Sequence, residues 1–191
     1  MDRSTARNHH VVSFVLLLTL VVSCCLLPSF QSPLSRMDNA FKFDEKSGGL
    51  CSEEDYPYKA KQGKCDTTCT DVPGSIVKTF VDVPAGDEKG LLSAIAMQPI
   101  SVAIQADQFV FQFYKTGVLE DDSCGRSAQI DHGVLAVGYG TDLETQKPYW
   151  LVKNSWGETW GESGYVKLSR SSKNDYGMCA ILRMASFPVV E

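Results

Sequence analysis

The chain has 191 residues, 43% of them apolar and 21% charged, with a formal net charge of −5. That is enough for one domain with one sizeable core, and it excludes a wholly disordered polypeptide. Arg3, Arg7 and Arg36 against Asp2 give the first 36 residues +2 and leave −7 for the rest; an acidic body argues against nucleic acid as partner, because phosphates need clustered Lys and Arg.

Arg3 and Arg7 precede an uncharged run from Val11 to Leu27, closed by Pro28. The pattern predicts a secretory signal peptide over residues 1–28, followed by a linker over residues 29–36. An uncleaved membrane anchor is the alternative, because 17 residues sit at the lower edge of what spans a bilayer. Membrane contact is expected only if residues 11–27 stay attached. Either reading sends residues 37–191 into the secretory pathway, towards a lysosome- or vacuole-like compartment or the exterior, where disulfides persist.

Apolar residues at helical spacing in Met37-Asp38-Asn39-Ala40-Phe41-Lys42-Phe43 predict a helix that stops at Ser47-Gly48-Gly49. Pro57 bars helix at its neighbour, so Glu53–Tyr58 reads as a turn into extended chain, and Cys65–Gly74 as a polar loop. From Ser75 the character changes. Ile76–Val81 reads as a strand, Asp87 caps a short helix through Met97, and Pro99–Ile104 returns to strand. Three more strands are expected at Gly133–Tyr139, Tyr149–Lys153 and Tyr165–Leu168, separated by turns rich in Gly, Asp and Pro, as in an antiparallel sheet or barrel.

Seven cysteines are present. Cys24 and Cys25 lie in the apolar run, leaving Cys51, Cys65, Cys69, Cys124 and Cys179, an odd number that implies a free thiol or a lost partner. Cys65-x-x-x-Cys69 has no second ligand pair nearby, so no metal site is expected.

The candidate chemistry lies in two segments. Ile130-Asp131-His132-Gly133 puts one imidazole at the start of an apolar run, and Lys153-Asn154-Ser155-Trp156-Gly157 puts a carboxamide in a turn after another. A base needs a partner to fix its tautomer and aim its ring, which an amide oxygen can do by accepting the ring N–H. These segments resemble the His and Asn regions of papain-like cysteine peptidases, in the cathepsin L-like branch. Trp160-Gly161-Glu162-Ser163-Gly164-Tyr165, the Cys179-Ala180-Ile181 and Ala185-Ser186-Phe187-Pro188 stretches, Gly48–Tyr58 and Met37–Phe41 extend the resemblance from about Met37 to Glu191.

The resemblance implies an α+β fold with a largely present antiparallel, barrel-like sheet subdomain (residues 75–191) and a truncated remnant of a helical subdomain (residues 37–74). It implies His132 as general base, Asn154 as its orienting partner, and Trp156 as the indole shielding their bond from water. Ala106, Ile130, Gly133 and Met184 match positions lining the pocket for the second residue before the cut, which implies an apolar preference. Cys124 and Cys179 match a family disulfide. Cys65 matches a cysteine whose partner has no counterpart here, which leaves Cys51 and Cys69 as an extra pair and Cys65 unpaired.

The departure is equally specific. In this family the nucleophile sits in Cys-Gly-Ser-Cys-Trp, about 130–150 residues before the His. Counting back from His132 reaches residue 2 or beyond, and no Cys-x-x-Cys-Trp occurs in the chain. The oxyanion glutamine has no counterpart either, and Leu34-Ser35-Arg36 stands where an Asn-Gly-Gly cleft segment belongs. Expected, therefore, is a chain without useful peptidase activity of its own: a fragmentary product of a cathepsin L-like endopeptidase gene. The alternatives are a secreted non-catalytic homologue binding peptides or a protease inhibitor, and a membrane-anchored binding module. No cofactor is implied.

Overall fold

A computed structural model describes residues 37–59, 63–64 and 68–190. The expected signal or anchor (1–28), the linker (29–36) and Cys65 lie outside the described residues. Helix α1 spans Met37–Ser47, with Asp38 in its first turn and Lys46 in its last, signs that suit the helix dipole. It stops at Gly48, whose φ of +89° suits a residue without Cβ. Strand β1 (Val77–Val83) follows, then α2 (Glu88–Met97), capped by Asp87, whose carboxylate accepts the Gly90 N–H at 2.9 Å. Next come β2 (Ile100–Ile104), the one-turn α3 (Phe109–Gln112), β3 (Val118–Leu119), β4 (His132–Thr141), β5 (Pro148–Lys153), β6 (Tyr165–Ser169), a 3-10 turn (Met178–Ala180) and β7 (Met184–Val190).

The strands form one seven-stranded sheet in the order β1-β7-β2-β4-β5-β6-β3. All pairings are antiparallel except β3 with β6. With α1 and α2 this is an α+β arrangement. β2 sits centrally and is buried at all five residues. Its Ile100, Val102 and Ile104 face the main core, shared with Leu91, Phe111, Trp150, Leu168 and Ile181. Each such large, fully buried side chain contributes roughly 1.5–3 kcal/mol relative to exposure. Its Ala103 joins a smaller core with Met37, Ala40 and Phe41 of α1, and the Phe41 ring stacks on Phe80 of β1 at 5.8 Å.

Three elements escaped the pattern reading. α3 and β3 are too short for periodicity to register. β7 contains Pro188, which argues against a strand. The register explains its tolerance: β2 pairs only with Met184, Ala185 and Ser186, so Pro188 lies beyond β2's reach and its missing N–H breaks no bond there.

Cys124 is bonded to Cys179 across 55 residues, and Cys51 to Cys69 across 18. The first bridge is wholly buried. Its closeness is built by unusual backbone: Cys179 and Ala180 have φ of 51° and 60°, and the Cys179 N–H donates to the Cys124 carbonyl at 2.9 Å. Gly125 is required beside it, because a Cβ there would lie 2.6 Å from the Ala180 nitrogen.

Closing a 55-residue loop restricts the unfolded chain by about 4 kcal/mol in the chain-entropy account. The double substitution Cys124→Ala with Cys179→Ala is expected to lower unfolding free energy by about that amount. Urea unfolding without reductant reads it; a loss below about 1 kcal/mol, far under the chain-entropy value, would show that the bridge contributes little.

Candidate active site

His132 is the first residue of β4 and pairs with Ile104, the last of β2. The residue before it is clamped on both sides. The Asp131 N–H donates to the Ile104 carbonyl at 3.0 Å, and the Asp131 carboxylate accepts the Ala106 N–H at 2.7 Å. Asn154 immediately follows β5, and its N–H donates to the Gly164 carbonyl at 2.9 Å. Because β4 and β5 are neighbours, with Leu135 opposite Lys153, the two side chains meet: His132 Nε2 lies 2.8 Å from Asn154 Oδ1.

That bond fixes the imidazole. The Ser155 N–H also points at Oδ1, at 2.8 Å; a backbone N–H only donates, so this atom is the amide oxygen. Oδ1 can only accept, so Nε2 carries a proton in both the neutral and charged ring. The lone pair of the neutral ring therefore sits on Nδ1. Asn154 is 4% exposed and its Nδ2 has no partner, a cost of about 1–3 kcal/mol by the usual penalty for a buried donor left unmet.

Trp156 stacks on the His132 ring at 5.1 Å and 27°. It is itself braced edge-on by Phe111 at 5.5 Å and Trp160 at 5.3 Å. The Trp160 indole N–H is anchored on the Gln112 carbonyl at 2.9 Å. The indole that covers the ring is thus held by α3, an element without a pattern signal.

Gly133, Ala103 and Met184 form one row across β4, β2 and β7. Ile130 and Met184 both pack against the α1 core. Gly133 is exposed, and a Cβ placed on it would meet nothing within 4 Å, so the space at this end of the row is open, whereas Ala103 beside it is covered by the α1 core. Ala106 is buried in the main core and reaches this region through its N–H bond to Asp131. The strand pairing thus brings Gly133 and Met184 to either side of Ala103, Ile130 packs against the same small core, and the Ala106 side chain lies in the main core, outside the row.

Pattern reading missed two positioning residues. Asp131 was visible only as part of the motif; its double clamp needs the β2–β4 register. Gln105, 3% exposed, accepts the Gly125 N–H at 2.9 Å and donates to Asp107 at 2.9 Å, while its N–H donates to the Cys179 carbonyl at 2.8 Å. It ties the buried disulfide to Ala106. The only sequence signal was a polar residue closing an apolar strand. Among the described residues every cysteine is in a disulfide, no three His, Cys, Asp or Glu side chains gather as a metal site, and no helix is long and apolar enough to cross a membrane.

Removing the amide acceptor releases the ring. In Asn154→Ala, ¹⁵N shifts of the neutral His132 imidazole are expected to move from a single Nε2–H form to a mixture of tautomers. An unchanged single form would show that something other than Asn154 holds it.

Residues 5–189 match the sequence profile of papain family cysteine proteases. The chain is 51% identical over 152 residues to the oryzain beta chain of Oryza sativa subsp. japonica, covering 80% of this chain and 32% of that protein. It is 46% identical over 153 residues to vignain of Ricinus communis, covering 80% and 41%. It therefore spans about a third of the length of curated relatives such as oryzain. Among solved structures, the bromelain protease from Ananas comosus in complex with the E64 inhibitor superposes with a TM-score of 0.74 at 38% identity, covering 81% of this chain and 69% of that one. With that fold, these identities and the profile spanning most of its length, the chain belongs to the papain family of cysteine proteases.

Proposed function

We propose that His132 and Asn154 are the general base and orienting partner of a papain-type cysteine endopeptidase, and that this stretch of chain by itself leaves peptide bonds intact. The observation that carries the reading is the Nε2–Oδ1 contact of 2.8 Å, which leaves Nδ1 free for a thiol. In the complete reaction a thiolate adds to the peptide carbonyl carbon. The C–N bond then breaks as His132, protonated on Nδ1, gives its proton to the leaving amine. Water next attacks the thioester, with His132 taking its proton, and the sulfur departs.

On this reading the missing part is the nucleophilic sulfur. Cys51, Cys69, Cys124 and Cys179 are bridged, and no Cys-x-x-Cys-Trp stands anywhere in the sequence. A base without its nucleophile and oxyanion donors retains only residual catalysis. The substrate-recognition half on this reading is Gly133, Met184, Ile130 and Ala106, which suits a bulky apolar side chain at the second residue before the cut. Trp156, stacked on the ring, keeps water from the His–Asn bond. The buried disulfide fits an oxidising compartment on the secretory route. A second reading, a non-catalytic protein that holds peptides or a protease inhibitor, is favoured by the same bridged cysteines and the open space at Gly133.

The purified chain with a thiol reductant and a fluorogenic dipeptide carrying Phe at the second position is expected to show no turnover above background. His132→Ala should then leave the rate within about 2-fold, since no transition-state interaction is lost. Turnover abolished by a thiol-alkylating reagent, together with a large drop in His132→Ala, would overturn the reading and reveal a working thiolate.

A further inference from the structure

The buried face of α1 ends in a carboxyl group. Its inward residues are Met37, Ala40, Phe41 and Asp44, the spacing of a single helical stripe. Three are apolar. The fourth, Asp44, is 3% exposed, and its Oδ2 has no hydrogen-bond partner. A carboxylate cannot be held in such a place without a large desolvation cost unless it is paired or becomes neutral.

No pairing charge is on hand among the described residues. Along α1, Lys42, Glu45 and Lys46 point to solvent and Asp38 is half-buried; Lys42 sits over the Phe80 ring, 5.6 Å away. α1 packs on β1 and β7. β1 offers Lys78 and Asp82, both exposed, while β7 carries no charged residue from Met184 to Val190. Beyond α1, Asp71 lies against Gly49. Burial, with no charge contributing, raises the Asp44 carboxyl to about 7.

We propose that docking of α1 on the sheet is gated by protonation of Asp44. With the carboxyl neutral, α1 seats its whole stripe, and Met37 and Phe41 brace Ile130 and Met184. With the carboxyl ionised, the helix loosens and that wall gives way. The wall is the one assigned above to the peptide pocket, so the consequence for binding rests on that reading; the gate itself does not. The sign follows from linkage. A carboxyl of ordinary 3.8 when free and about 7 when docked favours docking fully below the lower value. The advantage is lost progressively as pH rises from the lower value towards the upper. Acidic conditions therefore assemble this wall and neutral ones relax it.

Amide hydrogen exchange of α1 in the full chain tests the gate. After correction for intrinsic exchange, protection of Phe41–Lys46 is expected to fall by roughly 100-fold or more between pH 4 and 7, since one proton linked to docking changes its constant about tenfold per pH unit. Asp44→Asn and Asp44→Val, neutral throughout, should show flat protection over the same range. Flat protection in the natural sequence, or an equally steep fall in both variants, would overturn the proposal. A second readout separates it from the functional reading. A fluorescent Phe-containing dipeptide amide should bind the natural sequence better at pH 4.5 than at 7.5, and Asp44→Asn alike at both. A steep exchange profile with no peptide binding at either pH upholds the gate and refutes the pocket.

Discussion

The hydrogen bond between His132 and Asn154 depends on the pairing of β4 with β2 on one side and β5 on the other. Neither residue is near the other in sequence, and neither is oriented by its own segment. β2 sets where β4 begins, because Ile104 pairs with His132 and its carbonyl accepts the Asp131 N–H. β5 sets where Asn154 emerges, because Leu135 stands opposite Lys153. A slip of one residue would turn every side chain to the other face. The alternation along β5 opposes such a slip, since it would expose Trp150 and Val152 and turn Lys153 inward.

The rest of the molecule reads as support for that register. The buried Cys124–Cys179 bridge holds Gln105 through the Cys179 carbonyl, and Gln105 in turn holds the loop that offers the Ala106 N–H to Asp131. On the opposite flank, Phe111, Trp156 and Trp160 brace one another against the imidazole. The ring is thus confined by a polar clamp behind and an aromatic lattice beside it. The unmet Nδ2 of Asn154 is a price accepted at a site where orientation outweighs local stability.

The two cores divide the labour. The main core holds most of the buried apolar side chains, those of β2, β4, β5 and β6 among them. The smaller one joins α1 to the sheet through Phe41, Met37 and Ala103 and carries at its margin a buried carboxyl whose Oδ2 has no partner. Stability is therefore uneven: the half that positions His132 is anchored by the larger core and a bridge, whereas the half that walls the neighbouring row hangs on a helix sensitive to one proton.

Local chemistry made much of this legible. Apolar spacing and Gly48 gave α1 its bounds, Asp87 announced α2, and alternating apolar runs marked β2, β4, β5 and β6. The His and Asn segments stood out because an imidazole opened one apolar run and an amide closed another, each near a glycine. Other features were silent. Asp131, Gln105 and the row from Met184 to Gly133 acquire meaning only when strands distant in sequence lie side by side. Trp156 needed the one-turn α3 to brace it, and Pro188 was tolerable only because β2 ends before reaching it. Asp44 reads in the sequence as an ordinary acidic residue on a polar helix. Only packing turned it inward, because α1 has a single stripe to bury and the sheet takes all of it. The sequence by itself determined the longer helices and strands, all but α3, β3 and β7, and marked an imidazole and an amide as candidates for acid–base work, since those follow from spacing and side-chain chemistry. The tertiary structure alone decided which groups meet, which lose water and which are left without a partner, because contact and desolvation belong to the assembled sheet.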